Sequence, residues 1–440
     1  MAEDKSTAFS AIIVGGGPVA LTAAHALSQA GIDYIVLERR KQLDTDSGAS
    51  VAVWPHNVRL LDQLGLLEEA EQTYMPVKNK RNLRKDGSEL SRSNMFEAIG
   101  TNHGHPWMCF HRAKLMQMLY HRLPDTTKVL LDKEVVSLQN TDSGVTVTCA
   151  DETTYSASIV IGADGVHSSV RKLMNEAVGK KDEPFLSTYR GLYGYAKRSP
   201  ELEPATLYET HERNLTIQLI VAEEQQHFLV YERLPKPTKD RTRYTPEDAD
   251  ALAKKFADVR YPGTKEGEFV TFGDVWAQKQ WAVLANLEEG IVKTWHEGRA
   301  VLVGDAVHKM TPNTGFGMNS GLQGVAQLVN RLHSLVQKTS DPDNATLTQL
   351  FRDYQTSRMG NSKEAVDMSA LYTRLVAWNN PVWKFTDQYL LPYVKGDVTS
   401  LNVLMSPIVQ KGIPLDFLEE KAFKHGTYAY HVGPATVGSS

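Results

Sequence analysis

Three consecutive glycines, Gly15-Gly16-Gly17, lie between the apolar run Ala11-Ile12-Ile13-Val14 and an alanine-rich stretch, and with Ala20 they spell Gly-x-Gly-x-x-Ala. This spacing suits a pyrophosphate. The first glycine makes a tight turn, the second lets the backbone approach the phosphates, and the third position tolerates alanine. A helix starting there adds unpaired N–H groups and the positive end of its dipole. Glu38 stands 23 positions after Gly15, at the end of a second apolar run from Tyr34 to Leu37. An acid at about that separation meets a ribose hydroxyl. Two further acids sit beside glycines at the ends of buried runs. Asp164-Gly165 follows Ile159-Val160-Ile161-Gly162-Ala163, and Gly304-Asp305 follows Ala300-Val301-Leu302-Val303. Ligands of parallel sheets gather at the carboxyl ends of the strands, so the three segments are expected to converge.

The elements that must hold these residues read from periodicity. Residues 11–14 and 34–37 are expected to be parallel strands around a helix over 21–30, which Gly31 caps. Residues 56–70 carry Val58, Leu60, Leu61, Leu64 and Leu67 at helical spacing, and 111–123 form another helix stopped by Pro124. Asp86-Gly87 marks a hairpin within the polar stretch 78–94. Strand-like runs follow at 128–138, 145–149 and 157–161, with a Ser143-Gly144 turn between the first two.

From Phe185 the pattern changes to that of an inserted antiparallel sheet, with strands over 215–221 and 227–234. A helix over 245–259 carries Pro246 at its start. Residues 299–304 form a strand and 320–335 a long helix, and from 346 the chain reads as largely helical with a polar Gly- and Ser-containing tail. The expected fold class is α/β. A Rossmann-like nucleotide-binding domain comes in three pieces (1–75, 105–185 and 275–345), an inserted antiparallel β-sheet substrate domain in two (76–104 and 186–274), and a C-terminal helical region covers 346–440.

The chain has 440 residues, too many for one simple core. It is 41% hydrophobic and 23% charged, an ordinary soluble composition. A formal net charge of −4 gives no reason to expect nucleic acid or an anionic membrane as partner. Cys109 and Cys149 fall outside any metal-ligand spacing, so no metal site is expected and a reducing, cytoplasmic compartment is. The first ten residues carry acids and lack a signal-peptide pattern. No run reaches the roughly 18 uncharged apolar residues of a transmembrane segment. Residues 371–394 come nearest, interrupted by Arg374, Asn379, Asn380, Lys384 and Asp387. Their Trp378, Trp383, Tyr389 and Tyr393 are expected in a helical cap over the core rather than at a membrane interface.

With its three nucleotide motifs in this order, the chain resembles the class A flavin-dependent monooxygenases of the p-hydroxybenzoate hydroxylase type, over roughly residues 10–335. The resemblance implies that the three-piece domain binds FAD. Gly15, Gly17, Pro18 and Ala20 would hold its pyrophosphate, and Glu38, with Arg39 beside it, the adenosine end. Asp164 and Gly165 would lie near the pyrophosphate and serve pyridine-nucleotide use, while Asp305 would take the flavin-side ribose. Arg112, in Phe110-His111-Arg112-Ala113, would reach the FAD.

The run Pro312-Asn313-Thr314-Gly315-Phe316-Gly317-Met318-Asn319 resembles the family's Pro-x-x-Gly-x-Gly-x-Asn loop. There Pro312, Gly315, Gly317, Met318 and Asn319 would pass beside the isoalloxazine ring and open a helix aimed at its pyrimidine end. N–H groups and the helix dipole would then stabilise negative charge on the N1–C2=O edge of the reduced ring. Phe316 departs from the glutamine that many members carry.

The chemistry so implied is oxygen transfer. NAD(P)H reduces FAD, the reduced flavin and O2 give a C4a-hydroperoxide, and an electrophilic oxygen passes to a small-molecule substrate in a dry pocket. The wording from Gly304 to Pro312 resembles fungal secondary-metabolism members. The expected reaction is therefore epoxidation or hydroxylation of a bulky hydrophobic or aromatic natural product, in alkaloid or meroterpenoid biosynthesis. Simple phenol or aromatic-acid hydroxylation and a non-oxygenating flavin dehydrogenase or oxidase stand as alternatives.

Arg190, in Tyr189-Arg190-Gly191-Leu192-Tyr193 on the first strand of the inserted sheet, is expected to be the catalytic polar group. Its guanidinium could hydrogen-bond a peroxide or anchor the substrate. Tyr231 and Phe228 are expected in the core, Trp54 near the pocket, and His308 in a loop role rather than as a base.

Overall fold

The computed structural model describes residues 9–43, 48–181 and 185–435. The first eight residues and Gly438, Ser439 and Ser440 of the expected polar tail lie outside them. A central sheet has six strands in the order His296–Glu297, Ala300–Leu302, Ile159–Gly162, Ser10–Val14, Asp33–Leu37, Val129–Leu130. All neighbours are parallel except the first pair. Its strands are apolar on both sides because both faces are covered: Ile12, Ile13, Val36, Val160, Ile161, Val301 and Leu302 are fully buried. The crossover helix Pro18–Gln29 starts three residues before its apolar pattern does, because proline at the first position is pre-set for a helical turn.

A second sheet of eight strands runs His308–Lys309, Lys279–Ile291, Leu186–Lys197, Gln225–Thr238, Leu215–Val221, Thr206–Glu212, Asn79–Arg84, Glu89–Ser93. It is antiparallel except where Thr206–Glu212 meets Asn79–Arg84. The Asp86-Gly87 turn closes its last hairpin, with Gly87 at φ +85. Helices Pro246–Lys255 and Phe272–Ala277, each opened by a Thr–Asp capping box, cover one face. Leu192, Ile217, Leu219, Phe228 and Val230 pack there against Leu252 and Phe272. The strand Lys279–Ile291 was expected with the central layer, from residue 275 on. It pairs instead along the Leu186–Lys197 strand, so the chain leaves the second sheet after Ile291 and returns to it only for His308–Lys309.

Three helical or strand-like runs divide where the backbone turns left-handed or the segment proves too polar. Residues 56–70 form two helices, Pro55–Gln63 and Leu67–Thr73, parted at Gly65 with φ +71. Residues 128–138 form Val129–Leu130 and Val135–Asn140, parted by Asp132 at φ +59. The C-terminal region begins with the helix Asn344–Val376 and continues in short turns up to Ser406–Gln410. Residues 411–435 are neither helix nor strand, against the expectation of helix. They are tied down by side chains instead, notably the fully buried Arg59–Glu420 pair at 2.7 Å. Trp378 is buried as expected, but Tyr389 and Tyr393 are 57% and 86% exposed and cap nothing. Among the described residues no helix is long and apolar enough to cross a membrane.

Candidate active site

The loops after three neighbouring parallel strands meet at one edge of the central sheet. A Cβ on Gly15, at φ +108, would lie 2.6 Å from the carbonyl oxygen of Ala163, so the first glycine is required by its contact with the loop that carries Asp164. The space beside Gly17 is open, and Gly17 caps the helix Pro18–Gln29 with no side-chain cap and no acid in the first turn. An uncapped helix end facing free space is the cradle a phosphate group requires. Ala20 is fully buried, as the packing position of the motif demands. On the other side, Gly304 at φ +64 lies against Val19, and Gly321 closes on both, bringing Asp305 next to the same helix start.

The acids are differently occupied. Glu38 is buried, one oxygen accepting from the N–H of Gly16 and the other from that of Arg40, so it shapes the glycine turn and keeps second lone pairs for a hydroxyl. Asp164 accepts from Ser169 Oγ and Val170 N through one oxygen, while its other oxygen is buried with no partner among the described residues. That orphan acceptor, beside Gly165 at φ +82, awaits a donor. Asp305, in the short turn Gly304–Ala306, is ion-paired with Lys309, which the chain brings back on the strand His308–Lys309; no helical pattern in the sequence announces this pair.

Arg112, the first residue of the helix Arg112–His121, is anchored by its backbone N–H to Ala49 O. Among the described residues its guanidinium has electrostatic neighbours but no hydrogen bond or salt bridge. Burial and Arg40 lower its pKa, and Tyr193, Asp305 and Glu38 oppose that. A half-buried cation within electrostatic reach of the two ribose-type acids, with no hydrogen-bond partner among the described residues, is a group placed for an anionic ligand. Arg39 is exposed, one of four basic side chains with Arg241, Arg171 and Lys309 that, after burial, lower the pKa of His167.

The loop Pro312–Thr314 and the helix Phe316–Val336 are pinned from three sides. From the long helix, Thr373 bonds Thr311 Oγ1 at 2.7 Å and Asn313 Oδ1 at 2.8 Å, and Ser369 bonds Thr314. From the second sheet, Gln218 Nε2 donates to Asn313 O at 3.0 Å. From below, Trp54 Nε1 donates to Thr314 O at 2.9 Å. Gly315 takes φ +70 and caps the helix without a side-chain cap or a first-turn acid, leaving its N–H groups for an external acceptor. Gly317 and Met318 are half-buried in that first turn and Pro312 is exposed on the loop.

Three side chains of this loop are engaged with the protein itself. Asn319, expected at the cofactor, has its whole amide engaged with protein. Oδ1 accepts from Trp54 N and Asn57 Nδ2, and Nδ2 donates to Ala52 O and Gly315 O. Its side chain therefore positions the loop. Phe316 is buried, stacked on Trp54 at 4.5 Å between centroids, so both rings are support beneath the loop and not pocket wall. His308 is buried, and burial lowers its pKa to about 4, which leaves it neutral.

Arg190 is on the wrong face of its strand for catalysis at this loop. It is paired with Glu232 at 2.7 Å, which also binds Lys255, and lies over Tyr244, all on the helix-covered side. One residue along a strand reverses the face, so Tyr189, Gly191 and Tyr193 look toward the loop instead. Phe228 shares the helix side, edge-on to Phe272 and Trp276. Tyr231 is on the loop side, its hydroxyl donating to Gln218 Oε1 at 3.1 Å. Gln218 Nε2 also donates to Glu209, which binds Lys80 and Tyr372. This polar chain escaped sequence reading. Its signal was a glutamine in the otherwise apolar strand interior Leu215-Thr216-Ile217-Gln218-Leu219-Ile220-Val221.

Among the described residues no cluster of histidines, cysteines or acids could hold a metal. The FAD binding domain family matches residues 8–369. The chain is similar to the FAD-dependent monooxygenase srdH of Neurospora crassa, 34% identical over 93% of this chain and 96% of that one. It is also similar to the FAD-dependent monooxygenase ausM of Penicillium brasilianum, 33% identical over 91% of this chain and 86% of that one. Among solved structures, Klebsiella pneumoniae HpxO complexed with FAD and uric acid shares its fold at 20% identity, with a TM-score of 0.75 over 90% of this chain and 97% of that one. A salicylate hydroxylase substrate complex gives 0.68 at 18% identity over 92% and 98%. The uncapped helix starts, the orphan Asp164 oxygen and the unpartnered Arg112 fit the cofactor these relatives are named for, and the chain belongs to the FAD-dependent monooxygenases of the type found in fungal secondary metabolism.

Proposed function

We propose that this chain uses NAD(P)H and O2 to epoxidise or hydroxylate a bulky hydrophobic or aromatic natural product, of the alkaloid or meroterpenoid kind, and that the two sheets enclose the reaction between them. Bound FAD, once reduced, supplies the electrons that split O2 into one oxygen for the substrate and one for water. The residues do the rest. Gly17 and the helix it opens take the pyrophosphate, Arg112 neutralises it, Asp305 and Glu38 accept ribose hydroxyls, and the uncapped Gly315 helix start faces the electron-rich edge of the ring. In exchanging Lys309 for a ribose hydroxyl, Asp305 would free a cation for the reduced, anionic cofactor. The basic group around His167 (Arg39, Arg171, Arg241 and Lys309) suits the phosphates of NAD(P)H.

In this reading the FAD-binding domain comprises residues up to 75, 105–185 and 292–345, the substrate domain 76–104 and 186–291, and the C-terminal helical region starts at 346. The pocket wall is the loop-facing side of the second sheet, where Tyr193 lies near both Arg112 and Lys309. Tyr193 therefore replaces Arg190 as the side chain expected to meet substrate. The observation that carries the proposal is the guanidinium of Arg112, within electrostatic reach of Tyr193, Asp305 and Glu38 and with no hydrogen-bond partner among the described residues. The test is turnover under labelled O2 with prenylated aromatic and indole-terpenoid acceptors. One labelled oxygen in the product supports the reading. Reduction of FAD by NAD(P)H with label only in hydrogen peroxide, whatever the acceptor, would favour an oxidase.

A further inference from the structure

Burial sorts the apolar side chains of this protein well, with one regional exception. Of the fourteen large apolar side chains that are well exposed among the described residues, eight lie between Val382 and Leu404. Val382, Phe385, Tyr389 and Tyr393 recur every three or four residues along the helical turns from Pro381 to Val394, and are 69%, 56%, 57% and 86% exposed. Val403 adds a neighbouring bulge at 65%. A contiguous apolar stripe of this kind on a soluble surface marks a binding face.

The charges of the same segment are sorted by side. Both acids point inward: Asp387 accepts from His211 Nδ1 and Trp378 Nε1, each at 2.7 Å, and Asp397 from Lys80 at 2.6 Å and Asn82 at 2.7 Å. Both lysines, Lys384 and Lys395, are exposed. The outer surface of residues 381–404 is therefore apolar and aromatic with positive charge only, although the chain as a whole is acidic.

We propose that this face rests on the surface of a lipid bilayer that carries anionic headgroups. Aromatic rings with an apolar body and a polar tip suit the headgroup level, and Lys384 and Lys395 complement the negative surface. The segment cannot cross the membrane. Its helix changes character at Thr386 and Leu391 and turns left-handed at Lys395, φ +49. A second copy of the chain fits the face less well, because a two-fold contact sets the patch against itself and brings lysines to lysines. The inference is independent of which substrate the enzyme oxidises.

The test is co-sedimentation of the full-length, FAD-loaded protein with vesicles of phosphatidylcholine alone or with phosphatidylserine. Three proteins are compared: the wild type, the variant with Lys384→Glu and Lys395→Glu, and the variant with Phe385→Ser, Tyr393→Ser and Val403→Ser. The expected result is binding of the wild type that phosphatidylserine strengthens and salt weakens. The charge variant should bind roughly tenfold more weakly or worse, and the apolar variant should not sediment, while both retain flavin. Three results would overturn the proposal: no sedimentation of the wild type, sedimentation that survives both variants, or a dimer in ultracentrifugation that the apolar variant dissolves.

Discussion

The side-chain oxygen of Asn319 accepts the backbone N–H of Trp54 at 2.8 Å, tying the start of one helix to the start of another 265 residues earlier in the chain. The Asn319 amide also holds Ala52 O, Gly315 O and Asn57, so a single buried side chain fixes the loop Pro312–Thr314 at the height of the cleft. Asn319→Ala strands at least two buried polar groups at about 1–3 kcal/mol each. The expected outcome is a loss of roughly 3 kcal/mol in urea unfolding, together with faster loss of FAD on gel filtration. Unchanged stability would mean that the loop is held from the Thr373 and Gln218 side alone.

Arg112 behaves in the opposite way. Its guanidinium makes no hydrogen bond among the described residues, so Arg112→Met removes no such bond from the ligand-free fold and relieves a burial cost. A charged hydrogen bond to a phosphate contributes about 1.5–3 kcal/mol. FAD affinity measured by fluorescence quenching should fall on the order of ten- to a hundredfold, with the melting temperature of the apoprotein unchanged or raised.

Arg190→Ala separates the sequence expectation from the structural one. Its partner Glu232 keeps Lys255, and Arg190 is itself partly exposed, so the stability cost is about 1 kcal/mol or less. Turnover should stay within about threefold of wild type, because the side chain lies on the helix-covered face; each tenfold in rate is about 1.4 kcal/mol. Tyr193→Ala, on the facing side, should lower turnover more than Arg190→Ala does. A collapse of activity in the Arg190 variant with intact folding would restore it as a catalytic group.

Strand polarity and motif position were legible in the residues. The central sheet, the glycine turn, the two Asp–Gly corners and the helix after Pro312 follow from apolar runs, glycine and proline, which act through the backbone. What could not be read was which face each side chain takes. Arg190 was placed in the right strand, but glycines at 191 and 194 interrupt the alternation that would have told its face from that of Tyr189, Tyr193 and Tyr195. The role of Asn319 depends on Ala52, Trp54 and Asn57, which no local pattern links to it. Trp54 was expected near the pocket and stacks on Phe316 in the core, a pairing no local pattern announces. The exposed stripe at 382–393 was expected in a helical cap over the core; Asp387, which seemed to interrupt it, in fact turns inward.

His211 gives the stability a pH signature. Burial opposes its charge, but Asp387 at 2.7 Å and Glu209 at 3.5 Å outweigh that and hold its pKa at about 9, against an ordinary 6.5. Lys80 balances Glu209 in the same cluster and Tyr372 caps it. A folded-state pKa above the unfolded one adds stability that is full below about pH 6.5 and is lost as pH rises through about 9, amounting to about 3 kcal/mol. Urea midpoints should therefore fall between neutral pH and about pH 9.5 in the wild type, and this slope should flatten in His211→Gln. An equal slope in both would place the titrating group elsewhere.

The most direct measurement is the visible absorption of the purified protein during anaerobic addition of NADPH or NADH, with Arg112→Met alongside. The account predicts bound, oxidised flavin in the wild type that bleaches on addition and recovers when air is readmitted, and a variant that has lost most of its flavin. A colourless wild type that cannot be reconstituted with FAD, or a variant that holds FAD as tightly as the wild type, would contradict the cleft between Gly17, Arg112 and Asp305 as the cofactor site.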